Sequence, residues 1–297
     1  VLVMAMIGWL VGGMRRQRAG QDQWQSQQLK RPDHGVLLAD GVKRFAQTCQ
    51  ALLTWPRKIG RSRKNTMLYP ELFKQLESVR WDMDKDIPWA AFDPAQLTDE
   101  QAQTIKMNAI TEWSALPATE MFLRDNKDDS DFSAFMSIWF FEEQKHSLVL
   151  MEYLKRFRPD LAPTEKELHE VRFEFEPAPA LETLMLHFCG EIRLNHWYRR
   201  AAEWHSEPVI KHIYTTLSQD EARHGGAYLR YMKRAINNFG HEAKSAFTKV
   251  GVLMASARRT TPPLHPTNLH GNTALFPTAT ISNRRHDPTG LRPLADH

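Results

Sequence analysis

The sequence predicts an all-α protein whose core is a bundle of long helices. Two observations carry this expectation. Between residues 98 and 257 apolar residues recur every three or four positions over four runs of about 25 residues, each too long for a small mixed domain. Strand-like alternation of Val, Ile and Thr is scarce, and only 14 glycines occur in 297 residues, which argues against a β-sandwich or a Gly-loop nucleotide fold.

The elements follow in order. Residues 35–53 and 70–80 are expected to be two helices ahead of the bundle. Thr98 and Gln101 form a capping box that opens a helix running to about Leu123, with Pro117 kinking it or ending it early. After the acidic turn Lys127–Asp131, a second helix runs from about Phe132 to Arg158 and stops before Pro159. A linker carries a short helix from the Thr164/Glu167 capping box. A third long helix covers about Ala180–His205. A fourth, capped at Ser206-Glu207-Pro208, ends near Gly240, and a fifth occupies about His241–Arg258.

Charge divides the chain into three. Residues 1–64 hold 12 Lys/Arg against 3 Asp/Glu (+9), residues 65–257 hold 22 against 30 (−8), and residues 258–297 hold 5 against 2 (+3). The expected domains are therefore a basic N-terminal arm (1–64), a helical body (65–257) and a Pro-rich, loosely ordered tail (258–297). The arm interleaves its charges with few aromatics, which speaks against nucleic-acid binding. Cys49 and Cys189 are too few for a disulfide scaffold or a cysteine-ligated cluster, and they fit a reducing, cytoplasmic setting. Val1–Met14 is apolar and followed by Arg15, Arg16 and Arg18, but spans only about 21 Å as a helix, short of the roughly 30 Å of bilayer hydrocarbon. A loose extension and a weak membrane anchor formed by residues 1–18 stand level, and either leaves the body cytoplasmic.

The chemistry shows in what interrupts the apolar stripes. Ile105, Asn108, Glu112 and Leu116 share one face of the first helix; Phe135, Trp139, Glu143, His146 and Leu150 share one face of the second. Leu184, His187, Glu191, Leu194 and Tyr198 line the third, and Ile213, Leu217, Glu221, His224 and Tyr228 the fourth. Each inward face thus carries a carboxylate in mid-stripe, and two add a histidine three residues on. Buried carboxylates facing one another repel, and a multivalent cation removes that cost. The unit Glu…Glu-x-x-His occurs twice: Glu112 to Glu143 is 31 residues, Glu191 to Glu221 is 30, and both Glu143–Glu221 and His146–His224 are 78. A single E-x-x-H is common on solvated helices. Two, each preceded by a mid-helix Glu at matching distance, point to four carboxylates and two imidazoles around a metal pair, hard ligands that suit Fe or Mn.

Some assignments compete. Glu142 adjoins Glu143 but has no His three residues later; Glu120 lies beyond Pro117 and only 23 residues before Glu143, so Glu112 is preferred. Asp220 is placed to serve a metal-bound His on a neighbouring helix, His146 first, with Arg223 balancing the cluster. His187, His196, His205 and His212 lack a carboxylate three residues before them and are expected to pack or face solvent, although His187 sits one turn from Glu191.

These motifs resemble the ferritin-like di-iron carboxylate superfamily, and within it the soluble acyl-ACP desaturases. Glu142-Glu143-Gln-Lys-His146 is similar to the desaturases' E-E-N-R-H, Asp220-Glu221-Ala-Arg-His224 to their D-E-K-R-H, and Leu116-Pro117 to their A-L-P segment, with the Glu one residue further upstream here. The resemblance covers residues 80–240. It implies a ferritin-like four-helix bundle with additional helices and a pair of iron ions (Mn as the alternative) that reacts with O2 and oxidises a reduced substrate. The ligands it implies are Glu112, Glu143, His146, Glu191, Glu221 and His224.

Two departures stand out: Leu194 and Asn195 occupy the place where many members keep a Thr one turn after the third glutamate, and residues 98–152 contain no Tyr, against a tyrosyl-radical subunit. The leading expectation is an O2-dependent di-iron oxidoreductase, desaturating or oxidising an acyl chain on a carrier protein. Trp139, Leu184, Leu194, Asn195, Tyr198 and Leu217 would line a substrate channel or simply the core. Its partners would be an electron donor such as ferredoxin, an acyl carrier protein, and a second copy in a homodimer; Arg193, Arg199, Arg200, Arg230, Lys233 and Arg234 would form either the basic dock for the carrier or a solvated helix face. The alternatives are a ferritin-like iron oxidation or storage protein without organic substrate, and a metal-free binding bundle.

Overall fold

The chain is seen in a computed structural model that describes residues 67–172 and 175–260, with side chains to Val252. The helix expected at 35–53, the basic arm, the apolar segment 1–18, Cys49 and the tail from 261 lie outside the described residues. Those described are all-helical: α1 Tyr69–Glu77, α2 Asp99–Trp113, α3 Ala115–Asp125, α4 Ser130–Phe157, α5 Glu165–Glu170, α6 Ala180–Trp204, α7 Pro208–Phe239 and α8 His241–Thr260, with single 3-10 turns at Trp89–Ala91, Pro94–Gln96 and Pro159–Leu161. None of these helices is long and apolar enough to cross a membrane.

The boundaries follow local chemistry. Thr98 and Gln101 exchange hydrogen bonds at the start of α2, as do Thr164 and Glu167 at the start of α5. Asp129 caps α4 through the Phe132 N–H. Gly240 ends α7 at φ 58°, a conformation that a side chain resists, and α8 begins at once. The first long helix divides at Ser114, three residues before Pro117. Proline has no N–H to return to the Trp113 carbonyl one turn back, so the ladder fails there and restarts as α3. One consequence is that Leu116, expected on the inward stripe, is half-buried, while Ala115 and Ala118 turn inward.

Helix α2 packs along α4, α6 along α7, and the two pairs meet where α4 crosses α7. The apolar core falls into two clusters. One gathers Phe122, Phe132, Phe135, Trp139, Phe188, Tyr228 and Tyr231; the other gathers Ile105, Leu150, Tyr153, Leu194, Tyr198, Ile213 and Leu217. The chain passes between the clusters on all four long segments, α2–α3 and α7 in one direction, α4 and α6 in the other. Helices α4 and α6 therefore run in the same direction, and α8 folds back on α6.

Buried polar groups pin the periphery. Glu207, fully buried, accepts from the N–H groups of Asp93, Val209 and Ile210 and from the Tyr153 hydroxyl at 2.9 Å. Asp131 accepts from the N–H groups of Leu68 and Tyr69 at the start of α1. Two of the cations expected to dock a carrier protein have internal roles: Arg230 pairs with Glu71, and Arg234 with Asp129 and Asp131, fastening α7 to α1 and α4. Arg199 is exposed on α6.

Replacing Glu207 by Ala removes the α7 cap and leaves the Tyr153 hydroxyl buried without its acceptor, so a loss of about 2 kcal/mol is expected. Cutting the exposed Arg172–Glu120 pair by Arg172→Ala should cost under about 0.5 kcal/mol. Urea unfolding of both variants checks the contrast; equal losses would contradict it.

Candidate metal centre

The layer between the two apolar clusters is polar. Glu112 stands at the end of α2, Glu143 and His146 in the middle of α4, Glu191 in the middle of α6, and Glu221 and His224 in the middle of α7. All six are at most 3% exposed. Glu112, Glu143, His146 and Glu221 bring one ligand atom each within 4.8 Å of one another, and so do Glu143, Glu191, Glu221 and His224. Glu143 and Glu221 belong to both groups. The six residues expected from spacing thus converge on one layer. Glu120 does not: it lies on the surface, paired with Arg172.

The two imidazoles turn the same atom inward. His146 Nδ1 lies 3.5 Å from Glu221 and 3.9 Å from both Glu112 and Glu143. His224 Nδ1 lies 3.0 Å from Glu143, 3.4 Å from Glu221 and 3.5 Å from Glu191. Each outward nitrogen meets a carboxylate on the opposite helix: His146 Nε2 is 3.1 Å from Asp220, and His224 Nε2 is 2.8 Å from Glu142. Arg223 contacts Asp220 and lies 3.7 Å from Glu142, so one guanidinium spans both supporting carboxylates.

Three further residues complete the surroundings. The Trp139 indole donates to Glu191 Oε1 at 2.9 Å, and the Tyr198 hydroxyl donates to Glu112 Oε1. Trp81, partly exposed ahead of the bundle, donates to Asp220 at 2.8 Å, with Lys145 over its ring. Trp139 and Tyr198, read from sequence as channel or core, thus hold the two outer carboxylates. Leu184, Leu194 and Leu217 are core residues, whereas half-buried Asn195 donates to the Ser218 carbonyl. A tyrosine does adjoin the cluster, delivered by α6, although residues 98–152 contain none.

Glu142 is the residue that sequence reasoning set aside as a competitor of Glu143. The signal was present: Glu142-Glu143-x-x-His146 and Asp220-Glu221-x-x-His224 are the same pattern, and each leading carboxylate serves the other helix's histidine. Gly225 lets α6 come close enough, because a Cβ there would stand 3.1 Å from Ile192 and 3.6 Å from Glu191 Cβ. Of the histidines expected to pack or face solvent, His187 and His205 are buried and His212 is exposed.

After these bonds, seven inward atoms remain buried without a hydrogen-bond partner: Glu112 Oε2, Glu143 Oε1, Glu191 Oε2, both Glu221 oxygens, His146 Nδ1 and His224 Nδ1. Such orphans are costly. Carboxylate oxygens and imidazole nitrogens converging in one layer are a donor set that a multivalent cation satisfies, and the two groups could hold metal ions.

Electrostatics agree. Burial, with the charges of Glu143 and Glu221 added, pushes Glu112 well above the usual carboxylate range; burial and Glu221 push Glu191 up to about 8. Burial works against charge on His146, but Asp220 and Glu221 outweigh it and hold it well above its ordinary value. Burial likewise opposes charge on His224, and Glu142, Glu143 and Glu191 outweigh it in the same direction. Burial and Glu143 push Glu221 up, yet the neighbouring His146, His224 and Glu191 outweigh them and leave it lowered. Without a cation, protons do the neutralising.

These directions fix a pH dependence. Raised values on Glu112, Glu191, His146 and His224 mean that the folded state holds more protons than the unfolded one, so this stability is present at low pH and is lost as pH rises toward 8. Lowered values on Glu142, Asp220 and Glu221 matter only in acid, below about pH 4. Chelator-treated protein should therefore lose melting temperature from pH 5 to pH 8. The gain on adding excess Fe(II) or Mn(II) should grow over the same range, because metal displaces those protons. Thermal melts at fixed ionic strength check this; a metal-induced gain that ignores pH would contradict a proton-loaded cluster.

Comparisons with protein-family models, with curated proteins and with solved structures find no match for this chain.

Proposed function

We propose that the helical body is a ferritin-like bundle carrying two iron ions, and that the protein is an O2-dependent oxidoreductase. The observation that carries this reading is the sharing of Glu143 and Glu221 between two buried groups, each completed by its own carboxylate and imidazole. One shared edge with two separate ends is what a bridged metal pair needs. Glu112 and His146 would hold one ion, Glu191 and His224 the other. When bound and reduced by an external donor, such a pair would supply O2-dependent oxidising chemistry strong enough for a C–H bond.

The chain's own residues have defined tasks in this reading. Asp220 and Glu142 accept from the outward imidazole nitrogens and so present Nδ1 inward on both histidines. Tyr198 and Trp139 orient the outer carboxylates and leave one oxygen of each for the centre. The two apolar clusters exclude water on both sides of the polar layer. Trp81 links the supporting carboxylate Asp220 to the surface, where a reduced donor such as a ferredoxin would deliver electrons. The substrate class that the motif resemblance favours is an acyl chain on an acidic carrier protein.

Anaerobic loading with Fe(II), followed by metal analysis, should find two ions per chain. Glu143→Ala or Glu221→Ala should lose both, while His146→Ala should retain about one. Admitting O2 to the reduced protein with acyl-carrier substrate should yield a desaturated or oxidised acyl product. Two irons without such a product would remove the acyl substrate, and a cage-sized assembly would favour iron storage. A protein that binds no metal would overturn the reading.

A further inference from the structure

His187 stands outside the metal set and is the least explained polar group near it. It lies one turn before Glu191 on α6, is 5% exposed, and its Nε2 is fully buried without a hydrogen-bond partner. Phe122, Trp139 and Tyr228 box its ring. A leucine would fill that box at no polar cost, whereas a buried imidazole left unpaired costs stability. The ring also lines a largely enclosed cavity, together with Ala118, Leu194, Trp139, Glu143 and Glu191. It admits a water-sized sphere with little room to shift. The cavity therefore touches the Glu143/Glu191 edge of the cluster, is narrowed by small and apolar side chains, and offers one unused polar atom besides the carboxylates.

We propose that this cavity is the seat of a di- or triatomic ligand of the metal pair, and that His187 Nε2 makes the hydrogen bond that holds it. The inference rests on the di-metal reading above. The ligand class follows from size and polarity: the narrow room suits a ligand of two or three heavy atoms lying partly toward the carboxylates, and the single imidazole favours one with a polar or charged end over an inert gas. Burial holds His187 well below its ordinary protonation range, so the ring meets the ligand as a neutral hydrogen-bonding group and adds no charge to the cluster. His187 would thus act directly on what binds at the metals, a role separate from the ligands and their supports.

Azide serves as the probe, with cobalt(II) standing in for iron so that metal content and ligand binding are read separately. Full-length wild type, His187→Leu, His187→Gln and Ala118→Leu are loaded, their cobalt is counted, and azide is titrated by visible absorption. All four should carry the same cobalt. Azide should bind about tenfold or more weakly to His187→Leu, in line with the loss of a hydrogen bond to a charged group. It should be partly restored in His187→Gln and lost in Ala118→Leu, where the cavity is filled. Metal-free His187→Leu should melt at the same temperature as wild type or higher, since it removes an unpaired polar atom; a structural histidine would show the opposite sign. Azide affinity unchanged in His187→Leu or Ala118→Leu at full cobalt, or no azide binding to loaded wild type, overturns the inference alone. Absence of cobalt from wild type overturns the metal reading and this inference with it.

Discussion

Four glutamates are buried where four helices cross, and the rest of the structure accommodates that cost. Isolated ionised carboxylates are not tolerated in an apolar interior, and several together repel. Here Glu112, Glu143, Glu191 and Glu221 occupy one layer, with apolar clusters on both sides. Every long segment crosses from one cluster to the other through that layer. Replacing the layer by leucines would give a simpler and more stable bundle. Retaining it suits a layer that could hold metal ions.

The supports around the layer also fix how the helices meet. Asp220 on α7 holds His146 on α4, and Glu142 on α4 holds His224 on α7, so two crossed bonds set the register of these helices. Sliding one helix by a single residue, about 1.5 Å, would break both together. Gly225 allows the close approach of α6, and the break at Ser114 lets α3 leave the axis of α2 immediately beyond Glu112. Long-range order and site geometry therefore share the same bonds. A substitution that loosens the site also loosens the packing of α4 on α7.

Much of this was legible in the sequence, and the parts that were not share a physical reason. The capping boxes, Pro117, Pro208 and Gly240 marked the boundaries within a few residues, because helix termini are settled by local hydrogen bonding. The repeated Glu…Glu-x-x-His gave the six converging residues, because a helix projects i and i+3 side by side. Periodicity says which face turns inward, but not which atom reaches which neighbour. Trp139 and Tyr198 therefore read as apolar stripe residues, although the polar end of each ring holds a carboxylate. Trp81 and Asp220 are 139 residues apart, and no local pattern joins them. The pairing of Glu142 needed only the comparison of two five-residue strings, yet it becomes meaningful once α4 is known to face α7.

The internal repeat makes the two ends of the cluster alike in ligand type, and the supports make them unlike in surroundings. At the Glu112/His146 end, a tyrosine holds the outer carboxylate, and the imidazole connects through Asp220 to a partly exposed indole. At the Glu191/His224 end, an indole holds the outer carboxylate, and a small cavity with a buried imidazole adjoins it. A symmetric pair of metals in a symmetric shell would have no preferred face for a ligand and none for a redox partner. Here the repeated Glu…Glu-x-x-His spacing supplies matching carboxylates and imidazoles, while Trp81 and His187, outside the repeat, set the two ends apart. The polarity of the site thus resides in residues that the repeated motif does not contain.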